Sequence, residues 1–214
     1  MNRSSQVHFL RHLILQSTGN WFYKSVKKLF DECLVEGYRT NGVIEFRPNN
    51  PINRVEFLKL VLIAELGSDA FKKLPEPSVN PFPDVHTTNW FAPAVAYAVS
   101  SNIVIGFTNG PFSGTFRPGD EVTREQAVKI LVTSNPGLSE LYNSITNNPE
   151  NLPEEFPDVT NSTHWSYYFI YTAKATNVVS GYDTGLFGPT DSIKRSEAAK
   201  IICTTYFGQK ACIE

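Results

Sequence analysis

Three blocks of this chain repeat the same words in the same order, and no single segment constrains the fold as tightly. Trp90, Gly106-Phe107, Phe116-Arg117-Pro118 and Arg124 correspond to Trp165, Gly181-Tyr182, Phe187-Gly188-Pro189 and Arg195, and to Trp21, Gly37-Tyr38, Phe46-Arg47-Pro48 and Arg54. Trp to Gly is 16 residues in every copy and Pro to Arg is six, whereas Gly to Pro is 11, 12 or eight. Constant blocks separated by a drifting one are what tandem duplication with variable loops leaves behind. A unit of ~55 residues buries little apolar surface alone, so the copies must pack on one another.

Two copies share a lead-in, Phe82-Pro83-Asp84-Val85 and Phe156-Pro157-Asp158-Val159. Residues 12–20 show nothing comparable, so the first copy has diverged or is incomplete. The copies fall at residues 1–70, 81–136 and 155–208, with 71–80 and 137–154 read as polar, proline-bearing linkers. In the second copy, residues 92–101 predict a helix with Pro93 in its first turn. Asn109-Gly110 and Ser113-Gly114 predict a tight turn or hairpin. A second helix follows over 124–133, ended by Asn135-Pro136-Gly137. The second helices are apolar nearly all round (Phe57, Leu58, Leu60, Val61, Leu62 and Ile63 in one; Ile130, Leu131 and Val132 in the next; Ile201 and Ile202 in the third). Such helices are buried among other elements and most simply meet at a common centre. The expected class is mainly α: three short helical repeats around a central three-helix bundle, with turn-rich loops.

Each second helix starts with an Arg, where the macrodipole prefers a negative charge. One explanation is an anion held jointly by Arg54, Arg124 or Arg195 and the free N–H groups of the helix end. The other is an internal carboxylate, Asp84 or Asp158, although three Arg face only two such Asp residues. Both remain open at this point, and both can hold in different copies. The residues two after each Arg, Glu56, Gln126 and Glu197, need no ligand: Asn53 with Glu56 and Thr123 with Gln126 fit capping boxes. Lys194 breaks the third box, because an ammonium cannot accept a helix N–H; that helix must fray or find its cap elsewhere, and Lys194 adds positive charge beside Arg195.

Trp21, Trp90 and Trp165 read first as packing anchors and second as sugar platforms. Gly37, Gly106 and Gly181 suit a backbone conformation open only to Gly, and would let a ligand approach the main chain. Tyr38, Phe107 and Tyr182 beside them are the better candidates for stacking on a sugar. Asp84 and Asp158 are expected to close turns, with contact to ligand hydroxyls secondary. His86 and His164 occupy inequivalent positions and read as surface residues. Cys203 falls where other copies have Leu62 and Val132, so it reads as a buried small hydrophobe; a Cys33–Cys212 bridge stays open.

The formal net charge of −2 offers no broad basic field for nucleic acid. No apolar run reaches the ~20 residues of a membrane span. Residues 9–15 are apolar but interrupted by Arg11 and His12, with no small-residue cleavage site after them, so no export signal is recognisable. Neither a nucleophile elbow, a phosphate loop nor a metal-ligand cluster appears. The expectation is a non-enzyme without metal or cofactor.

Taken in order, Phe-Pro-Asp-Val, Trp, Gly-aromatic, Phe-x-Pro and the Arg-x-Glu/Gln word resemble the S-layer homology domain, whose usual arrangement is three tandem copies. The resemblance spans residues 21–207. It implies a pseudo-threefold helical assembly, a cell-surface or cell-wall location, and binding of anionic, often pyruvylated, secondary cell-wall polysaccharide in grooves between copies. Within such a groove it implies that the Arg binds the sugar acid. The chain would then be a noncatalytic anchoring module, with further domains of a larger surface protein as its other partners. The rival readings are a structural or interaction protein that kept the fold without the polymer, and a small carbohydrate-active enzyme.

Overall fold

The computed structural model describes residues 19–40 and 43–213; residues 9–15, and residues 12–18 of the divergent lead-in, lie outside them. Its elements are α1 (Tyr23–Asp31), β1 (Tyr38–Thr40), β2 (Val43–Glu45), α2 (Arg54–Leu66), α3 (Ser68–Phe71), α4 (Ala92–Ser100), α5 (Arg124–Ser134), α6 (Pro136–Asn147), α7 (Tyr167–Ala175), α8 (Arg195–Phe207) and α9 (Gln209–Cys212). The chain is mainly helical, as its patterning predicts. It divides into two compact units, Ile52–Ile193, and Met1–Pro51 together with Lys194–Glu214. The division runs through the first and third copies for a definite reason. The first helix of a copy packs on the Arg-bearing helix of the copy before it: α4 on α2, and α7 on α5. In the terminal unit, α1 of the first copy packs on α8 of the third.

In the Ile52–Ile193 unit, α2 buries Val55, Phe57, Leu58, Val61, Leu62 and Ile63 against α4 and α5. Three buried residues, one ahead of each Arg, exchange backbone hydrogen bonds. Ile52 N–H donates to Ile193 O at 3.2 Å, Ile193 N–H to Val122 O at 3.0 Å, and Val122 N–H to Ile52 O at 3.1 Å. Polar backbone in an apolar setting is thereby satisfied. The segment expected as a linker over 137–154 is instead largely helical. Asn135 caps α6 by accepting from Leu138 N–H at 3.0 Å, and Pro136 takes the first turn. Leu138 and Ile145 are buried, and Tyr142 stacks on Phe169 at 4.3 Å between ring centroids. Pro136, read as a stop, is also a helix starter because its missing N–H is one of the four a helix leaves unpaired.

In the terminal unit, β1 and β2 form an antiparallel hairpin with Tyr38 opposite Glu45, the form taken in this copy by the expected Gly-to-Phe loop. The cysteines correct the sequence reading: Cys203 is not a lone hydrophobe but is bonded to Cys212, while Cys33 is an exposed thiol. The pairing follows from the end of α8, where Gly208 at φ +79° turns the chain back so that α9 lies against α8 and α1. Ser25 Oγ donates to Cys212 O at 2.9 Å and ties the same corner to α1. A crosslink closing nine residues contributes about 2–3 kcal/mol through chain entropy. Reductant should therefore lower the unfolding free energy by that amount, read in a denaturant titration; an unchanged transition with the thiols shown to be reduced would contradict the assignment.

Candidate functional site

Each helix-start Arg reaches into the Phe-x-Pro turn of the next copy. Arg54 Nε donates to Phe116 O at 2.9 Å, Arg124 Nε to Phe187 O at 2.7 Å, and Arg195 Nε to Phe46 O at 2.9 Å. All three side chains are buried, at 7%, 7% and 8% exposure. The guanidinium carbons lie 4.9 Å from the Phe107 ring centre, 4.4 Å from Tyr182 and 4.6 Å from Tyr38, so the aromatic after each Gly sits against the cation. Planar guanidinium suits this double duty, donating in plane and stacking out of it.

The free helix N–H groups expected to share an anion with the Arg are occupied. Arg54 and Val55 N–H donate to Asp120 O and Pro118 O at 2.9 and 3.2 Å. Arg124 and Glu125 N–H donate to Asp191 O and Pro189 O at 2.9 and 3.0 Å, and Arg195 and Ser196 N–H to Asn50 O and Pro48 O at 2.8 and 3.0 Å. The neighbouring turn has taken the place an anion would have used. This also resolves the cap of α8: Lys194 supplies no acceptor, only the half-box in which Glu197 Oε2 accepts Lys194 N–H at 2.9 Å remains, and the carbonyls of the first copy complete it. The Asn53–Glu56 and Thr123–Gln126 boxes are both formed.

The carboxylates do a different job from closing local turns. Asp84 accepts from Phe116 N–H at 2.9 Å and Arg117 N–H at 2.6 Å, and Asp158 from Phe187 N–H at 2.9 Å and Gly188 N–H at 2.7 Å. They staple the Phe-x-Pro turn from some 30 residues away and so hold the carbonyl that the Arg grips. Asp84 does not pair with Arg54. Among the described residues no carboxylate lies within ion-pair distance of Arg54, whose remaining hydrogen bond runs from Nη1 to Gln126 Oε1 at 2.8 Å.

Arg54 lines a groove of about 420 Å³ with residues 103–109, Glu125, Gln126, Lys129, Ile130 and Trp165. The groove thus gathers Arg54 of the first copy, Gly106 and Phe107 of the second and Trp165 of the third. Burial pushes the Arg54 guanidinium down to about 10, against the partial support of Asp120 and Asp84. Burial lowers Lys129 too, with the Arg54 charge adding to it. Two cations are therefore desolvated together, which is the environment an incoming anion relieves. Glu125 is pushed up by burial, against a hydrogen bond from Ser166 and the nearby His164.

The tryptophans are not buried anchors. Trp21, Trp90 and Trp165 are 58%, 64% and 46% exposed. Each carries an ammonium over its ring: Lys200 at 5.8 Å, Lys59 at 5.5 Å and Lys129 at 5.7 Å. These lysines are the residues the sequence reading passed over. They stand five positions after the Arg in all three copies, a constant spacing that was there to be found. Lys194 is exposed at the start of α8. Gly106 has φ +72°, and a Cβ there would sit 2.6 Å from Phe82 Cε1 and 2.8 Å from Thr115 O; Gly181 meets Phe156 in the same way, and Gly37 has φ +71°. Gly106→Ala should cost about 2–4 kcal/mol from strain and overlap combined, read as a fall in melting temperature; an unaltered melt would show that Phe82 moves aside freely.

The repeated Arg clamp on stapled turns defines a class. Residues 81–128 and 155–199 match the S-layer homology domain. Among its relatives, cell surface glycoprotein 1 of Acetivibrio thermocellus is 29% identical over 73% of this chain and 6% of its own length. An endoglucanase of Bacillus sp. strain KSM-635 is 26% identical over 86% of this chain and 18% of its own. The middle cell wall protein of Brevibacillus brevis is 38% identical over 51% of this chain and 10% of its own. The chain thus spans less than a fifth of the length of these relatives. S-layer homology domains are noncatalytic anchoring modules, and the match together with the cell-surface and cell-wall relatives supports a cell-wall anchoring role at the cell surface. No helix among the described residues is long and apolar enough to cross a membrane.

Proposed function

We propose that the chain anchors its protein by binding an anionic secondary cell-wall polysaccharide, with an acidic substituent such as a pyruvyl group held at Arg54 in the groove described above. One observation carries the reading: a buried guanidinium without a carboxylate partner borders an open groove, beside a second desolvated cation and an exposed Trp. Burying a charge without pairing it is costly, and a ligand carboxylate recovers that cost through charge-assisted hydrogen bonds. Lys129 adds long-range attraction, and Trp165 offers an apolar face to a sugar ring. Residues 1–70 act as a third copy by the same logic, supplying Arg54 to this groove and the Tyr38 ring to Arg195. The enzyme named among the relatives contributes nothing to this reading.

The test is calorimetric titration of the chain with purified wall polymer, native and after removal of its acidic substituent. Binding should depend on the substituent. Equal affinity for both polymers would leave the Arg54 groove without this role.

A further inference from the structure

At the Trp165 end of the groove the third copy departs from the other two at two positions, and these meet a position of the second copy at which all three copies differ. The residue after the Arg is Val55 in the first copy and Ser196 in the third, but Glu125 in the second. The residue after the Trp is Phe22 and Phe91, but Ser166 in the third copy, and the residue before it is Asn20 and Asn89, but His164. The fold brings these three positions together. Ser166 Oγ donates to Glu125 Oε2 at 2.8 Å, and His164 Nδ1 lies 2.8 Å from Ser166 Oγ and 3.8 Å from the same carboxylate oxygen. Glu125 and Ser166 are buried.

The cluster uses one oxygen of Glu125 and leaves the other. Oε1 makes no hydrogen bond to any described residue, yet Glu125 lines the groove. Lys129, one turn along the same helix, faces the Trp165 ring and does not pair with Glu125 within 4.0 Å. The groove therefore carries cations, Arg54 and Lys129, and also a partly satisfied acceptor on Glu125. A ligand filling it must bring an acid for the first and a hydrogen-bond donor for the second, since an acceptor that loses its water to the ligand and gains no partner costs affinity.

We propose that Glu125 is a specificity-determining residue of this groove: its open oxygen accepts a hydroxyl or amide N–H from a sugar whose acidic group sits at Arg54, and its charge rejects unbroken polyanions such as polyphosphate. The proposal rests on the anion-binding reading above. It uses repulsion as well as attraction, which is how specificity between ligands of like charge is achieved.

The experiment compares wild type, Glu125→Gln and Glu125→Val (the residue of the first copy), each titrated with the acid-substituted wall polymer and with inorganic polyphosphate. Removing one like charge from the groove should raise polyphosphate affinity about fivefold or more in both variants. Polymer affinity should change less than about threefold in Glu125→Gln, which still accepts, and fall about tenfold in Glu125→Val. A parallel change for both ligands, or none, overturns the proposal; the near-isosteric Gln variant keeps the result readable if Val disturbs the fold. Lowering the pH should raise polyphosphate affinity more in wild type than in Glu125→Gln, because Glu125 loses its charge only in the former. Arg54 and Lys129 stay charged on the acid side in both proteins. His164, 3.8 Å from the Glu125 carboxylate, does not cancel, so the comparison is repeated with His164→Asn, the residue of the other two copies, in both backgrounds. A wild type that binds neither ligand overturns the anion-binding reading itself, a different outcome from lost discrimination.

Discussion

Asp84→Ala is expected to lower the unfolding free energy by about 3–5 kcal/mol, the loss of two hydrogen bonds to an ionised acceptor at about 1.5–3 kcal/mol each, less partial recovery by water. The two bonds do more than their number suggests. They hold Arg117 at φ +58°, a left-handed conformation that a non-Gly residue avoids. They also fix Phe116, whose carbonyl is the acceptor for Arg54. In the third copy the same position is Gly188 at φ +68°, which adopts that conformation without penalty. Asp158 is exposed where Asp84 is half-buried, so water replaces its hydrogen bonds more fully and Asp158→Ala should cost less than Asp84→Ala. A thermal melt of the two variants beside wild type checks both statements. A fall for Asp84→Ala of under one degree, or the reverse order, would remove the staple from the account.

Arg54→Met has the opposite profile, small in stability and large in binding. Methionine keeps the packing against Phe107 and Phe116 while removing the charge. Phe116 O loses a partner, at a cost of about 1–3 kcal/mol, but a buried cation without a counter-ion is removed at the same time, which offsets much of that cost. Net stability should change by no more than about 2 kcal/mol. Affinity for the acid-substituted polymer should fall at this groove by tenfold or more, since truncating one partner of a buried charge pair costs about 2–5 kcal/mol. The pH dependence has a definite sign. Both groove cations bind an anion only when protonated, and burial lowers Arg54 to about 10 and Lys129 below its ordinary value. Affinity should then weaken on the alkaline side at a lower pH than ordinary Lys and Arg would dictate. A variant that melts far below wild type yet binds normally would contradict the division of labour between Arg54 and Asp84.

The contrast between these two residues marks how far the sequence could be read. Helices α4 and α5 were legible because Pro93 and the Thr123–Gln126 box mark their starts, and Asn135-Pro136 the end of α5. Helix α6 was not, because Asn135, Pro136 and Gly137 punctuate a chain in either sense, and only the stacking of Tyr142 on Phe169 decides between them. The Arg repeat was legible, but its partner was not. Phe116 O lies 62 residues from Arg54, in another copy, and nothing local to Arg54 points to it. The Trp reading failed for a related reason: ring size argues for burial, but in these copies the apolar work at the helix start is done elsewhere, leaving each ring at the surface under a Lys. The Cys203–Cys212 bond depended on the reversal at Gly208, which a comparison of copies hides because no other copy has a Cys at either position.

On the reading proposed above, Arg54 holds an anion as well as the turn it grips. Calorimetric titration of the acid-substituted wall polymer into wild type and into the triple variant Arg54→Met, Arg124→Met, Arg195→Met, each first shown to be folded by its melt, tests it most directly. Saturable binding to wild type and none to the folded triple variant is the expected result. Undiminished affinity in that variant would show that the arginines only hold the copies together.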